Sequence, residues 1–298
     1  NTLYQMKDIE CIIISGKTNS NKDIIESFKN IYNKEHPIPP LILAQNGIGI
    51  EEDFRQIYND IIVYRIVVTI SAYIENDYTV FNFFKEPLLY GQIIGNSDKP
   101  THIMKVLSQQ GINTHELDMN NLLNAIWIKG VVNCCLNALS ALYLSEMNNL
   151  IKHSYIKIII NGIIKESHAV AKSFGIDFDK KKVHELLSNA PPNFSSMYKD
   201  IIQEKGTEID YLNGIIVKMG EEKGIDTFYN GKITYLIKAL TKHIYLDNEV
   251  LCNEEFEIIQ NIFKNNQLVI TLKNYLNKVI QTLYDIGFNK NDFLSNDK

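Results

Sequence analysis

The stretch "WIKGVVNCCLNALSALYL", Trp127 to Leu144, sets Lys129, Asn133 and Asn137 four residues apart in an otherwise apolar run. On a helix turning by about 100° per residue, the two asparagines lie roughly 40° and 80° around from the lysine, so three polar heads share one narrow stripe. Trp127, Val131, Val132, Cys135, Leu136, Leu139 and Leu142 cover much of the remaining circumference, which marks a helix buried on most sides. An unpaired buried amide costs about 1–3 kcal/mol and a buried ammonium more, so the stripe needs partners. Either a neighbouring helix bonds the amides while the lysine stem runs outward to water, or a polar ligand lies against it.

A second dense polar set occurs in "NFSSMYKDIIQEKGTEIDYLNG", with Asn193, Ser195, Ser196, Asp200, Thr207, Glu208 and Asp210. Ser196 can cap the helix that follows, and Thr207 with Asp210 has the T-x-x-[DE] form of a capping pair. If Ser196 and Glu208 instead face the Lys129 stripe, one cleft holds a cation, a carboxylate, hydroxyls and amides. Such a cleft suits a small hydroxylated acid.

Two earlier turns carry further candidates. "SGKT" at 15–18 follows a short apolar run, but Cys11 stands where a P-loop needs its first glycine, so no phosphate cradle forms. Lys17 is then either a solvated turn residue or a cation at the carboxyl end of a strand, where α/β sheets take their ligands. "QNGIG" at 45–49 lacks the third glycine of a dinucleotide fingerprint, and its glycines read as a tight turn. Asn46 shares that strand-end position, and its amide can both donate and accept.

The elements around these residues change character along the chain. "IECIIIS" and "PPLILAQ" are short β-branched or apolar runs, each followed by a helical pattern, and "IIVYRIVVTISAYI", "TVFNFF" and "PLLYGQIIG" extend a sheet to about residue 98. After Thr101 every segment carries helical spacing and ends at glycine or polar breaks. The fold class is therefore α/β plus all-α, a partial Rossmann-type domain over 1–118 followed by a helical domain over 119–245. Residues 246–298 read as two more helices, a C-terminal extension for packing or self-association.

Composition narrows the classes of function. The 298 residues carry 30 basic and 35 acidic side chains, a net charge of −5 without a basic block, which argues against a nucleic-acid surface. Arg65 and Asn161 interrupt the two most apolar runs before either reaches a bilayer span, so the expectation is a soluble, cytoplasmic protein with no membrane partner. Four cysteines without paired spacing read as reduced core residues, and seven histidines without an HxxxH pair leave no metal site expected.

Taken in order, "IIISGK", "QNGIG", "WIKGVVNCCLNALSAL" and "NFSSMYKDIIQEKGTEIDYLNG" resemble the ketopantoate reductase family, from about residue 9 to about residue 242. The resemblance implies a Rossmann-type domain and a helical domain with the site between them, NADPH as cofactor, and a 2-keto acid as substrate. It implies Lys129 as general acid, Asn133, Asn137, Asn193 and Ser196 as substrate ligands, and Asn46 as a contact to both substrate and cofactor. Lys17 and Ala72 would approach the cofactor, and Glu208 would close over the ternary complex. A homodimer is a further expectation.

This sequence departs from the family pattern in three places. A first strand with a GxGxxG turn is not among the residues given, and the simplest reading is that residues upstream of Asn1 are missing. A family asparagine falls on Met147 by strict counting, with Asn148 as a replacement, and residues beyond about 246 lie outside the match. Another NAD(P)-dependent hydroxyacid dehydrogenase, or a scaffold that has lost its cofactor, remains as an alternative.

Overall fold

The computed structural model describes residues 9–33, 36–55, 60–69, 72–76, 79–82 and 87–245. The expected helices beyond residue 246 lie outside this set. A mixed five-stranded sheet has the order β1 (Ile12–Ile14), β2 (Leu41–Leu43), β3 (Val63–Val67), β6 (Leu88–Ile94), β7 (Thr114–Glu116). The first three strands are parallel, β6 runs antiparallel to β3, and β7 is parallel to β6. β2 and β3 are buried at every position, as expected of central strands covered on both faces. Helix α1 (Asn21–Ile31) and short helix α2 (Glu51–Arg55) follow β1 and β2, the alternation that brings parallel strand ends to one edge.

Two expectations for the sheet need correction. β4 (Ala72–Asn76) and β5 (Thr79–Asn82) pair only with each other as a separate hairpin, so "TVFN" does not extend the main sheet; Phe83 and Phe84 lie outside the described residues. Conversely, β7 sits in a region read as wholly helical. Its three residues are too few to show a period, and it forms because α3 (Lys99–Gln109) returns the chain beside β6.

The helical layer is organised around α4 (Met119–Leu142), whose first turn is closed by the Asp118 carboxylate accepting from the Asn121 amide. Leu122 and Ile126 pack into the core between the sheet and α1, whereas Trp127 and the apolar positions from Val131 to Leu142 enter a second core. That core is shared with α5 (Met147–Leu150), α6 (Ser154–Ser173), α7 (Lys180–Ser188), α8 (Ser196–Ile202), α9 (Asn213–Lys223) and α10 (Phe228–Tyr245). One helix thus joins both layers, and Lys129 lies where it passes from one to the other. Contrary to the expectation that no run is apolar enough for a bilayer span, α4 among the described residues is long and apolar enough to cross a membrane. Yet 72% of its most apolar window is buried inside the protein, as in the core helix of a globular fold.

Candidate active site

The carboxyl ends of β1, β2 and β3 form one wall of the site. Gln45, just past β2, donates through Nε2 to the Gly16 carbonyl (3.0 Å) and to Asn21 Oδ1 (2.8 Å), tying the first two strand-end turns together. The "NGIG" turn follows. Gly47 has φ of +121°, and a Cβ there would stand 2.9 Å from the Tyr211 Cβ, so this glycine serves a close approach as well as a turn. The Ile48 amide donates to the Tyr211 carbonyl (2.9 Å), and its side chain lies where a Cβ on Gly130 would be, 2.5 Å from Cγ1. Glycine at 130 lets α4 press onto this turn, which brings Lys129 up against the sheet.

Lys129 and Asn133 line a narrow cavity with Gln45, Asn46, Gly47 and Arg65. Removal of water pushes the Lys129 ammonium down to about 8; the Arg65 cation pushes the same way, and the Glu208 carboxylate opposes them. The side-chain amides of Asn46, Asn133 and Asn137 make no hydrogen bond to a described residue. Among the described residues, no neighbouring helix bonds these amides.

α8 and the segment after it also meet the strand-end turns. Lys17 Nζ pairs with Asp200 at 2.7 Å, and Thr18 donates through its amide (3.1 Å) and hydroxyl (3.2 Å) to Glu208 Oε1. Asp53 Oδ2 accepts from Tyr211 Oη (2.7 Å) and from Asn21 Nδ2 (2.8 Å). Glu208 is buried and near enough to act on the Lys129 charge, so the structure brings together Lys129, Glu208, Asn46 and Asn133, with Lys17 one residue from Thr18.

Other expected residues are placed differently. Ser195, not Ser196, caps α8: its Oγ accepts from the Tyr198 amide and donates to the Asn137 carbonyl (2.9 Å), while Ser196 is exposed in the first turn. The first serine takes the cap because it holds the extended backbone that capping requires. Thr207 and Asp210 do not form a capping pair. A 3-10 turn at Ile209–Tyr211 intervenes, α9 starts at Asn213 with no side-chain cap, and Asp210 pairs with Lys238. Asn193 accepts the Met147 amide at its carbonyl (2.9 Å), which joins the two segments where the family asparagine was sought. Both Asn193 Oδ1 and Asn148 Oδ1 are buried there without a hydrogen-bond partner. Ala72 opens β4, and its side chain lies outside what is described.

Two family profiles cover most of this architecture. Residues 2–94 match ketopantoate reductase PanE/ApbA, and residues 121–241 match the C-terminal part of the same family. The chain belongs to the ketopantoate reductase family. The 2-dehydropantoate 2-reductase of Archaeoglobus fulgidus is 28% identical over 199 residues, 66% of each chain. That of Pyrobaculum aerophilum is 26% identical over 249 residues, 83% of this chain and 79% of the relative. A solved ketopantoate reductase from Ralstonia eutropha superposes with a TM-score of 0.71 at 20% identity, covering 82% and 80% of the two chains. A D-mandelate dehydrogenase holding NADH and anilino(oxo)acetate gives 0.70 at 24%, covering 80% and 78%. These likenesses establish the fold, Rossmann-like strands followed by a helical domain.

The residues that meet here come from separate elements, so local patterns expose only some of them. Glu51 and Asp53 carry no local signal, Thr18 shows only as part of the "SGKT" turn, and Asp200 only as one of a dense polar set. Arg65 stands in an apolar strand run, where its charge was the one available signal.

Proposed function

We propose that the protein reduces 2-dehydropantoate (ketopantoate) to pantoate with NADPH as hydride donor, in pantothenate synthesis in the cytoplasm. The single observation that carries this reading is the Lys129 amine, held at about 8 in a cavity it shares with the amides of Asn46 and Asn133, which bond no described residue. A dinucleotide suits this wall in part. Lys17 and Asn46 lie at the carboxyl ends of parallel strands, where such sheets take nucleotides, although the described residues include no glycine-rich pyrophosphate turn.

When bound, the reduced nicotinamide would supply a hydride to the 2-keto carbon. The carbonyl oxygen then becomes basic, and Lys129 gives it a proton, producing the 2-hydroxyl; the amine regains its proton from solvent. A donor whose pKa sits near the working pH is protonated at the start yet acidic enough to transfer. Asn133 and Asn137 bind the substrate's carboxylate and hydroxyl, whereas Asn193, buried against the Met147 segment, and Ser196, exposed in the first turn of α8, enter the reading through the family resemblance alone. Neutral hydrogen-bonding groups fix orientation without adding charge beside the lysine. Glu208, joined to Thr18, holds the α8–α9 segment against the strand ends. A ketopantoate reductase from Staphylococcus aureus, 25% identical with a TM-score of 0.64, is described as dimeric; we extend a homodimer to this chain.

The test is oxidation of NADPH and of NADH by the purified protein, with ketopantoate and with phenylglyoxylate in parallel. NADPH turnover with a clear preference for ketopantoate is expected. Preference for the aryl keto acid, or none for either, would overturn the assignment.

A further inference from the structure

Arg65 lies in the middle of β3 and is only 2% exposed, flanked on its strand by the buried apolar residues Val63, Ile66 and Val67. Guanidinium does not lose its proton in proteins, so this is a permanent charge within the central strand of the sheet. Its Nη1 donates to Glu51 Oε2 at 2.5 Å and its Nη2 to the Gly47 carbonyl at 2.8 Å, while Nε is buried with no partner. A buried ion pair of this kind contributes little net stability compared with an apolar pair of similar volume, and an unsatisfied N–H makes it less favourable still. Packing alone gives no reason for it. Its location does, because Arg65 lines the same cavity as Asn46, Lys129 and Asn133.

We propose that Arg65, clamped by Glu51, is a positioning residue of this site: it fixes the Asn46–Gly47 turn facing α4 and sets a second cation beside Lys129. The first role follows from its bond to the Gly47 carbonyl, since that peptide directly continues from Asn46 and packs against Tyr211. The second follows from electrostatics at short range in a water-poor cavity. The charged groups acting on Lys129 come from separate elements: Arg65 on β3 disfavours the ammonium, and Glu208 before the 3-10 turn favours it. Glu51 on α2 neutralises part of the Arg65 charge, and farther along the cleft Lys17 and Asp200 neutralise each other. Raising or lowering the Arg65 field thus changes how readily Lys129 gives up its proton.

The inference rests on Lys129 being the proton donor, and its test reads Lys129 without turnover. The protein is reductively methylated with 13C-formaldehyde, and the Lys129 signal, assigned by its loss in Lys129→Gln, is titrated by NMR with no cofactor or keto acid present. Arg65→Gln should raise the Lys129 midpoint by roughly one unit, Glu51→Gln should lower it, and Arg65→Lys should restore it close to the parent value. Opposite signs for the two neutralising changes are the signature that a purely structural role does not give. Thermal melts confirm folding, and the paired replacement Arg65→Met with Glu51→Leu removes both charges should either single variant unfold; in it, too, the midpoint rises. An unchanged midpoint in folded Arg65→Gln, or in the folded double variant, would overturn the proposal. A protein showing these shifts yet unable to reduce ketopantoate would uphold the role of Arg65 and refute the activity.

Discussion

Holding a lysine in this cavity should make the protein less stable than it could be, by an amount that depends on pH in a defined direction. Lys129 falls from 10.5 to about 8 on folding, and each unit is worth about 1.4 kcal/mol, so the charged side chain costs roughly 3 kcal/mol. Because the folded-state value is the lower one, the unfolded chain holds more protons between about 8 and 10.5, and stability rises with pH across that window. Below about 8 both states carry the charge and the full cost stands. Replacing Lys129 with methionine keeps an unbranched stem of similar length and removes the ammonium. Lys129→Met should therefore stabilise the protein by up to about 3 kcal/mol near pH 7, an advantage that shrinks to about 1.5 kcal/mol near pH 9.5. Urea unfolding of parent and variant at the two pH values measures this difference, since all other titrating groups are common to both. A pH-independent difference, or a variant less stable than the parent at both values, would refute the reasoning. A stabilising loss of the lysine is what a residue kept for chemistry should show.

Three further outcomes follow from contacts around the site. Gly130→Ala puts a methyl group 2.5 Å from the Ile48 side chain, and the overpacking should cost about 1–3 kcal/mol in a thermal melt, largely recovered by adding Ile48→Ala. Ser195→Ala removes the α8 cap and the bond to the Asn137 carbonyl, and should cost about 1–2 kcal/mol by denaturant unfolding. Lys17→Ala leaves the buried Asp200 carboxylate without its cation, so stability should fall by about 1–3 kcal/mol while the KM for NADPH rises.

Much of this arrangement could be read from local patterns because local rules act there. The apolar circumference of residues 127–142 required a buried helix, and the Lys129–Asn133–Asn137 stripe had to face either protein or ligand; which of the two depends on partners far along the chain, beyond the reach of local patterns. The strand-end placement of Lys17 and Asn46 follows from βα alternation. Which serine caps α8 turned on one residue of backbone conformation at Ser195 and Ser196, below the precision of pattern reading. β7 has three residues and exists only through its pairing with β6. Arg65 was seen solely as a break in an apolar run, because the carboxylate that pairs with it, Glu51, lies on another element and is brought near by the fold.

The central claim, that Lys129 delivers the proton within this cleft, is tested most directly by comparing kcat for ketopantoate reduction in the parent protein and Lys129→Ala at matched, verified folding. The account predicts a drop of roughly 100- to 10,000-fold, the range typical of losing a positioned proton donor. Equal turnover in the two proteins would contradict it.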